Sequence, residues 1–366
     1  MNGMLHEVTS ATLSRAERTR TIDSLLLRLE GIERACGEDF PLYSPGLEDR
    51  WSVSSGGSWL GGFWAGLWWL RARITGASSD RDKAIRIGRR LASKLEAPTL
   101  NRSMIFWYSL APGALWFDHL ESRQLLDQAG AAMAAAFSRA LGCIPLGTDM
   151  GGGPEGDRRI AIDTLAPTLR LLARHPQCAV RDLAGQHLQG TLAACGTWRG
   201  AYCGSVHCRE ERVVPEEQAG LWSRGQAWAM LGLVQAAGLY GEPFLTEARR
   251  ACEYWLETRP EPLPANRLDH PDAGDDPSAA VIAALAMLGL DGQPGQLEPW
   301  REHAERLLAA VVRSRYVTVG GATPGLFGGM RYRTREGEVL VESTCSSFFL
   351  LAALLVLDGR MGALDF

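Results

Sequence analysis

The fold is decided by the stretch Pro277-Ser278-Ala279-Ala280-Val281-Ile282-Ala283-Ala284-Leu285-Ala286-Met287-Leu288-Gly289, followed by Asp291-Gly292-Gln293-Pro294 and then by Trp300 to Val311 with Arg301, Glu302, Glu305 and Arg306. The first segment is apolar on every side, as a helix is when all its faces are buried. The last is rich in Arg and Glu and reads as a half-solvated helix. The pair is a hairpin with one inner and one outer member.

The same alternation recurs along the chain. Segments at 58–70 and 342–357 are nearly apolar all round, whereas those at 80–96 and 244–258 carry many charges. Thr75-Gly76-Ala77 and Tyr240-Gly241-Glu242-Pro243 lead into charged helices as Asp291 to Pro294 does. Apolar periodicity predicts helices near 13–36, 58–75, 80–96, 102–117, 121–142, 160–175, 178–195, 222–240, 244–258, 277–289, 297–314 and 342–357, and almost no strand. A helix pair returning about every fifty residues implies a closed or solenoidal array of hairpins. The predicted fold is an all-α (α/α)6 barrel of six helical hairpins. No Pro- or Ser-rich linker divides the chain. Residues 1–50 read as an N-terminal helix and extended lead-in to the same domain, and 51–366 as the barrel catalytic domain.

Composition narrows the function. With 46% hydrophobic and 22% charged residues the chain can bury a large core, and a net charge of -4 gives no footprint for nucleic acid or an acidic membrane. The start, to about Arg20, lacks the apolar core of a secretory signal. The run Phe348 to Leu357 is too short to span a bilayer. These features predict a soluble, cytoplasmic protein, monomer or homodimer. Eight cysteines (36, 143, 178, 195, 203, 208, 252, 345) form no CxxC pair and are expected to be free. Cys203, His207 and Cys208, with His187 and Cys195 upstream, match no zinc spacing, so neither metal nor cofactor is expected.

Chemistry concentrates in Leu221-Trp222-Ser223-Arg224-Gly225-Gln226-Ala227-Trp228. Ser223 and Gln226 read as a capping box, and Met230, Leu233, Val234 and Ala237 continue an apolar helical stripe. Arg224 then falls in the first turn, where the helix dipole disfavours a cation. An arginine between two tryptophans suits an anionic ring such as a sugar acid; the alternative is a solvated Arg between core tryptophans. The 12 tryptophans fit helix packing or a sugar cleft. Asp163 is either a helix N-cap or a proton donor, and Asp276 before Pro277 reads as an N-cap with Pro at the first helical position.

These motifs carry a family resemblance. Trp222-Ser223-Arg224-Gly225-Gln226-Ala227-Trp228 resembles the WSRGQAW signature of the unsaturated glucuronyl hydrolases, glycoside hydrolase family 88, and more distantly the unsaturated rhamnogalacturonyl hydrolases. Trp59 to Gly66 and Leu67-Trp68-Trp69-Leu70 are similar to that family's FWxG and LWL region, Ile162-Asp163-Thr164 to its IID segment, and Asp276 to Ala280 to its DSSAA segment. The resemblance spans roughly residues 51 to 357 with the motifs in order. It implies hydration of the C4=C5 enol ether of a terminal unsaturated uronic acid, with Asp163 as general acid and base. It also implies that Arg224 holds the carboxylate and that Trp222, Trp228, Gln226, His207, Gln218, Trp59 and Trp64 contact a saccharide. The family's second active-site aspartate has its counterpart at Ser103, so the charge near Asp163 would come from Arg102 or be offset by Glu155 or Asp157. Two other readings stay open: an enzyme of the same fold acting on a dehydrated sugar of a glycoside or nucleoside, and a saccharide-binding barrel without catalysis.

Overall fold

In a computed structural model, which describes residues 11–46, 49–209, 212–291, 293, 295, 298–334 and 337–365, the alternation of helix character becomes two concentric rings. The first ten residues and part of the turn after Asp291 lie outside the described residues. The charged helices form the outer ring: α1 (Arg15–Cys36), α3 (Ser78–Leu91), α5 (Leu120–Ala135), α7 (Cys178–Cys195), α9 (Phe244–Thr258) and α11 (Trp300–Val312). The inner ring is α2 (Trp59–Thr75), α4 (Arg102–Trp116), α6 (Leu165–Ala173), α8 (Ser223–Tyr240), α10 (Pro277–Asp291) and α12 (Thr344–Leu357). Each inner helix packs on the next, and α12 packs on α2, which closes the ring. The predicted (α/α)6 barrel is the observed fold.

Burial explains the layering. In α3 only one stripe, Asp80, Ala84, Ile87, Gly88 and Leu91, is buried, whereas α10 is buried from Pro277 through Leu290. Inner helices also approach one another closely. A Cβ on Gly62 of α2 would lie 2.4 Å from the Met104 carbonyl oxygen of α4, so only glycine permits that contact.

The expectation of almost no strand is corrected. Two small antiparallel sheets are present. One has the order β2–β1–β7–β6, from β1 (Phe40–Pro45), β2 (Ser52–Ser54), β6 (Met330–Thr334) and β7 (Gly337–Ser343). The other is β3–β4–β5, from β3 (Arg159–Ala161), β4 (Ser205–Arg209) and β5 (Arg212–Pro215). These strands are too short and polar for alternation to register, and pairing partners distant in sequence hold them. They occupy the segments leading into α2, α6, α8 and α12, so they also shift boundaries. Helices expected from 160 and 342 begin at Leu165 and Thr344, after β3 and β7. The helix expected to run to 142 ends at Ala135. Buried Arg28 of α1 locks the first sheet in place, with Nε 2.9 Å and Nη2 2.6 Å from the two carboxylate oxygens of Glu342 in β7.

The expected capping box of α8 does not form. Trp222 is the N-cap and makes no side-chain capping bond. Ser223 Oγ instead donates to the Ala265 carbonyl at 2.6 Å and accepts from Arg259 Nε at 3.0 Å. Gln226 accepts from the Tyr202 N–H at 3.0 Å and donates to the carbonyls of Gly200 at 2.8 Å and Ala251 at 3.2 Å. Buried backbone groups of neighbouring segments outcompete a local cap.

Candidate active site

Because the inner helices all point one way, their N-terminal ends meet at one mouth of the barrel. There Trp59 of α2, Asn101 and Met104 at the start of α4, Asp163 ahead of α6, and Trp222, Arg224 and Trp228 of α8 line a cavity of about 390 Å³. Arg331, Tyr332 and Arg333 of β6 and Glu338 of β7 complete its wall. A second cavity of about 520 Å³ shares Asn101, Asp163, Trp222, Arg333 and Glu338 and extends over Arg159, Glu216, Glu217, Asn266 and Arg267. The two form one cleft with Asp163 where they join.

Asp163 lies in the turn between β3 and α6. Thr164, not Asp163, is the N-cap of α6 and makes no side-chain capping bond, so the capping alternative does not hold. Oδ1 of Asp163 is buried without a hydrogen-bond partner among the described residues, although the residue opens in part to the cavity. Burial pushes its pKa up to about 6, against the opposing pull of nearby backbone N–H groups and of Arg224 and Arg159. A carboxyl group that remains partly protonated near neutrality in the wall of a cavity can deliver a proton.

Arg224 shares this cavity, though 61 positions separate it from Asp163 (224 − 163). It is buried rather than solvated. Nη1 donates to Asp276, and Nη2 donates to the Arg331 carbonyl at 2.7 Å. Asp276 is itself fully buried; burial raises its pKa while Arg224, Ser278 and the amides of Arg331 and Ala279 hold it down. The aspartate thus anchors the arginine as well as the start of α10. The arginine's Cζ stands 5.3 Å from the Trp222 ring centroid, and a Cβ on Gly225 would fall 2.4 Å from that indole. Across the cavity Trp59 and Tyr332 stack with centroids 6.4 Å apart. Two further cleft arginines are matched, Arg159 to Glu216 at 2.7 Å and Arg267 to Glu217 at 2.6 Å.

Several expected site residues lie elsewhere. Ser103 is buried and donates to the Leu100 carbonyl at 3.0 Å. Helical rotation turns it off the face shared by Asn101 and Met104, three residues apart. Asn101 faces the cleft in its stead, with Nδ2 held by the Met150 carbonyl at 3.1 Å. Arg102 points away, donating to the carbonyls of Thr99, Leu95 and Ala132. Glu155 and Asp157 are exposed and line neither cavity. Trp64 is buried edge-to-face against Trp68, and Gln226 is absorbed by backbone groups behind α8. Gln218 is exposed outside both cavities. His207 in β4 pairs with Glu216 at 3.1 Å and reaches the cleft only through it. Sequence reasoning missed Asn101, Tyr332, Glu338 and Asn266. Asn101 and Asn266 look like ordinary cap or loop residues, and the other two belong to strands that carried no signal. Among the described residues no group of three or more His, Cys, Asp or Glu could hold a metal ion, and no helix is long and apolar enough to cross a membrane.

No family model matches the chain. The unsaturated glucuronyl hydrolase of Bacillus sp. (strain GL1) is 25% identical over 367 residues, covering 88% of this chain and 92% of that protein. The solved structure of unsaturated glucuronyl hydrolase from Bacillus sp. GL1, responsible for the degradation of glycosaminoglycan, superposes with a TM-score of 0.84 at 21% identity over 95% of this chain and 98% of the other. An unsaturated glucuronyl hydrolase specific for heparin matches at 0.81 and 17% identity, over 94% and 99% of the two chains. That from Streptococcus agalactiae matches at 0.81 and 15%, over 97% and 96%. The resemblance read from the motifs is thus matched by a 25% identical unsaturated glucuronyl hydrolase, and the fold is the one those solved structures share.

Proposed function

We propose that the protein is a glycoside hydrolase that hydrates the C4=C5 double bond of a terminal unsaturated uronic acid and so frees it from a saccharide. The observation that carries this reading is Asp163, a carboxyl raised toward neutrality by burial, in the wall of an aromatic- and arginine-lined cleft. Its likeness to the unsaturated glucuronyl hydrolases supports the same chemistry.

In the first step protonated Asp163 gives its proton to C4, and the positive charge at C5 is shared with the ring oxygen. Water then adds to C5 while the Asp163 carboxylate takes a water proton, so the residue ends as it began. The C5 hemiketal opens by breaking the bond from C5 to the ring oxygen, which leaves a ketone at C5 and a hemiacetal at C1. Collapse of that hemiacetal expels the rest of the saccharide as an alcohol. The anchored Arg224 supplies positive charge for the uronate carboxylate, and Trp222 and the Trp59–Tyr332 pair offer faces for sugar rings. Asn101 supplies a neutral amide to the reacting region.

The test is loss of the ultraviolet absorbance of an unsaturated glucuronyl disaccharide. Wild-type protein should consume it and Asp163→Asn should not, while still binding it. A wild-type protein that binds the disaccharide without consuming it would refute the enzymatic reading.

A further inference from the structure

Away from the barrel mouth, between α7 and α9, a groove of about 420 Å³ opens on the outer ring. Its volume is in the range of small-molecule sites. Trp198 on its edge is 79% exposed, the most exposed large hydrophobic side chain among the described residues, with the Arg199 guanidinium 4.8 Å from its ring centroid, which leaves one ring face for a ligand. Facing it are Gln189, Tyr202, Glu247 and Arg250. The carboxylate of Glu247, the guanidinium of Arg250 and the amide of Gln189 form no hydrogen bond or ion pair among the described residues. Burial nonetheless raises the pKa of Glu247. Arg250 offsets part of that penalty through its charge, and the Glu247 carboxylate keeps its oxygens open to hydrogen-bond donors entering the groove.

We propose that this groove is a second, non-catalytic binding site for an uncharged hexopyranose unit of a saccharide. A pyranose presents an apolar face of C–H groups and a rim of hydroxyls. The indole of Trp198 matches the face, as aromatic side chains with one wet side do. The planar carboxylate, guanidinium and amide match vicinal hydroxyls, each able to form paired bonds. Among the side chains lining the groove, one anion and one cation leave no net charge, which favours a neutral sugar over a uronate. The site is tied to the catalytic helix: the side chain of Gln226 in α8 holds the backbone of both Gly200 and Tyr202, which line the groove. The two sites therefore lie on opposite sides of α8, and a saccharide held in the groove occupies none of the cleft.

Calorimetric titration with cellotetraose, an uncharged gluco-oligosaccharide, tests this on the full chain. Wild type and Asp163→Asn should bind it equally. Trp198→Ala and Glu247→Gln should each weaken binding at least tenfold while leaving turnover of a short unsaturated disaccharide unchanged. Three results would overturn the proposal: no binding to wild type, binding that survives both groove variants but is lost in Trp222→Ala, or a change in sedimentation of Trp198→Ala that marks the groove as a contact between copies. Turnover reports on the cleft and cellotetraose binding on the groove, so the two readings fail separately.

Discussion

Replacing Asp163 by Asn should make the folded protein more stable at pH 8 and leave it nearly unchanged at pH 4. The carboxyl has a pKa of about 6 when folded and 3.8 ordinarily, so the folded state binds the proton more tightly. A gap of about 2 pKa units at 1.36 kcal/mol each is about 3 kcal/mol. For a raised carboxylate this stability is fully present below pH 3.8 and disappears as pH climbs through 6. Asn matches the shape of the protonated acid and does not titrate, so the variant escapes the loss. Urea denaturation midpoints of both proteins at pH 4, 6 and 8 read the effect directly, and turnover of the variant should fall to background. If the wild type equals or exceeds the variant at pH 8, Arg224 and Arg159 outweigh burial. Asp163 would then be ionised at rest and unable to donate the proton.

Turnover of the wild type should fall as pH rises above 6. Asn101→Asp should move that limb upward, because a second carboxylate opposes ionisation of Asp163; an unmoved limb would show that residue 101 does not act on Asp163. Ser103→Ala should cost about 1 kcal/mol for one lost hydrogen bond and leave the pH–rate profile in place. Asp276→Ala strands Arg224 as a buried unpaired charge and should destabilise by about 3–5 kcal/mol, read by thermal or urea unfolding. Gln226→Leu removes the partners of one N–H and two carbonyls and should cost at least about 1–3 kcal/mol, with KM and kcat changed far less than by Trp222→Ala.

Helices were readable from the sequence because the barrel gives each of them one environment. An inner helix such as α10 is apolar throughout and an outer one such as α3 carries a single buried stripe, so local pattern and global position agree. The strands were not, since Ser52–Ser54 and Arg159–Ala161 owe their conformation to partners far along the chain. The same divide runs through the site. Asp163, Arg224, Trp222, Trp228 and Trp59 stand at or beside inner-helix starts and were found. The resemblance points to Ser103, and Asn101 faces the cleft instead, because a motif position does not report helix rotation and a shift of two residues turns a side chain to another face. Gln226 was read as a cap because its true partners, on the 200–202 loop and on α9, are invisible to a local rule.

Ring closure has a consequence for how the cleft comes into being. The packing of α12 on α2 joins the last helix to the first inner one, and Arg18 with Asp358 at 2.7 Å and Arg73 with Asp365 at 3.7 Å bring the two ends of the chain side by side. The ring of inner helices thus closes at the seam between α12 and α2, and Trp59 meets Tyr332 beside that seam. A growing chain can fold early hairpins against one another, but it owns no complete binding wall until β6 and β7 have been made. A product ending before β6 would keep Asp163 and Arg224 yet lack Arg331, Tyr332, Arg333 and Glu338, the wall that faces them.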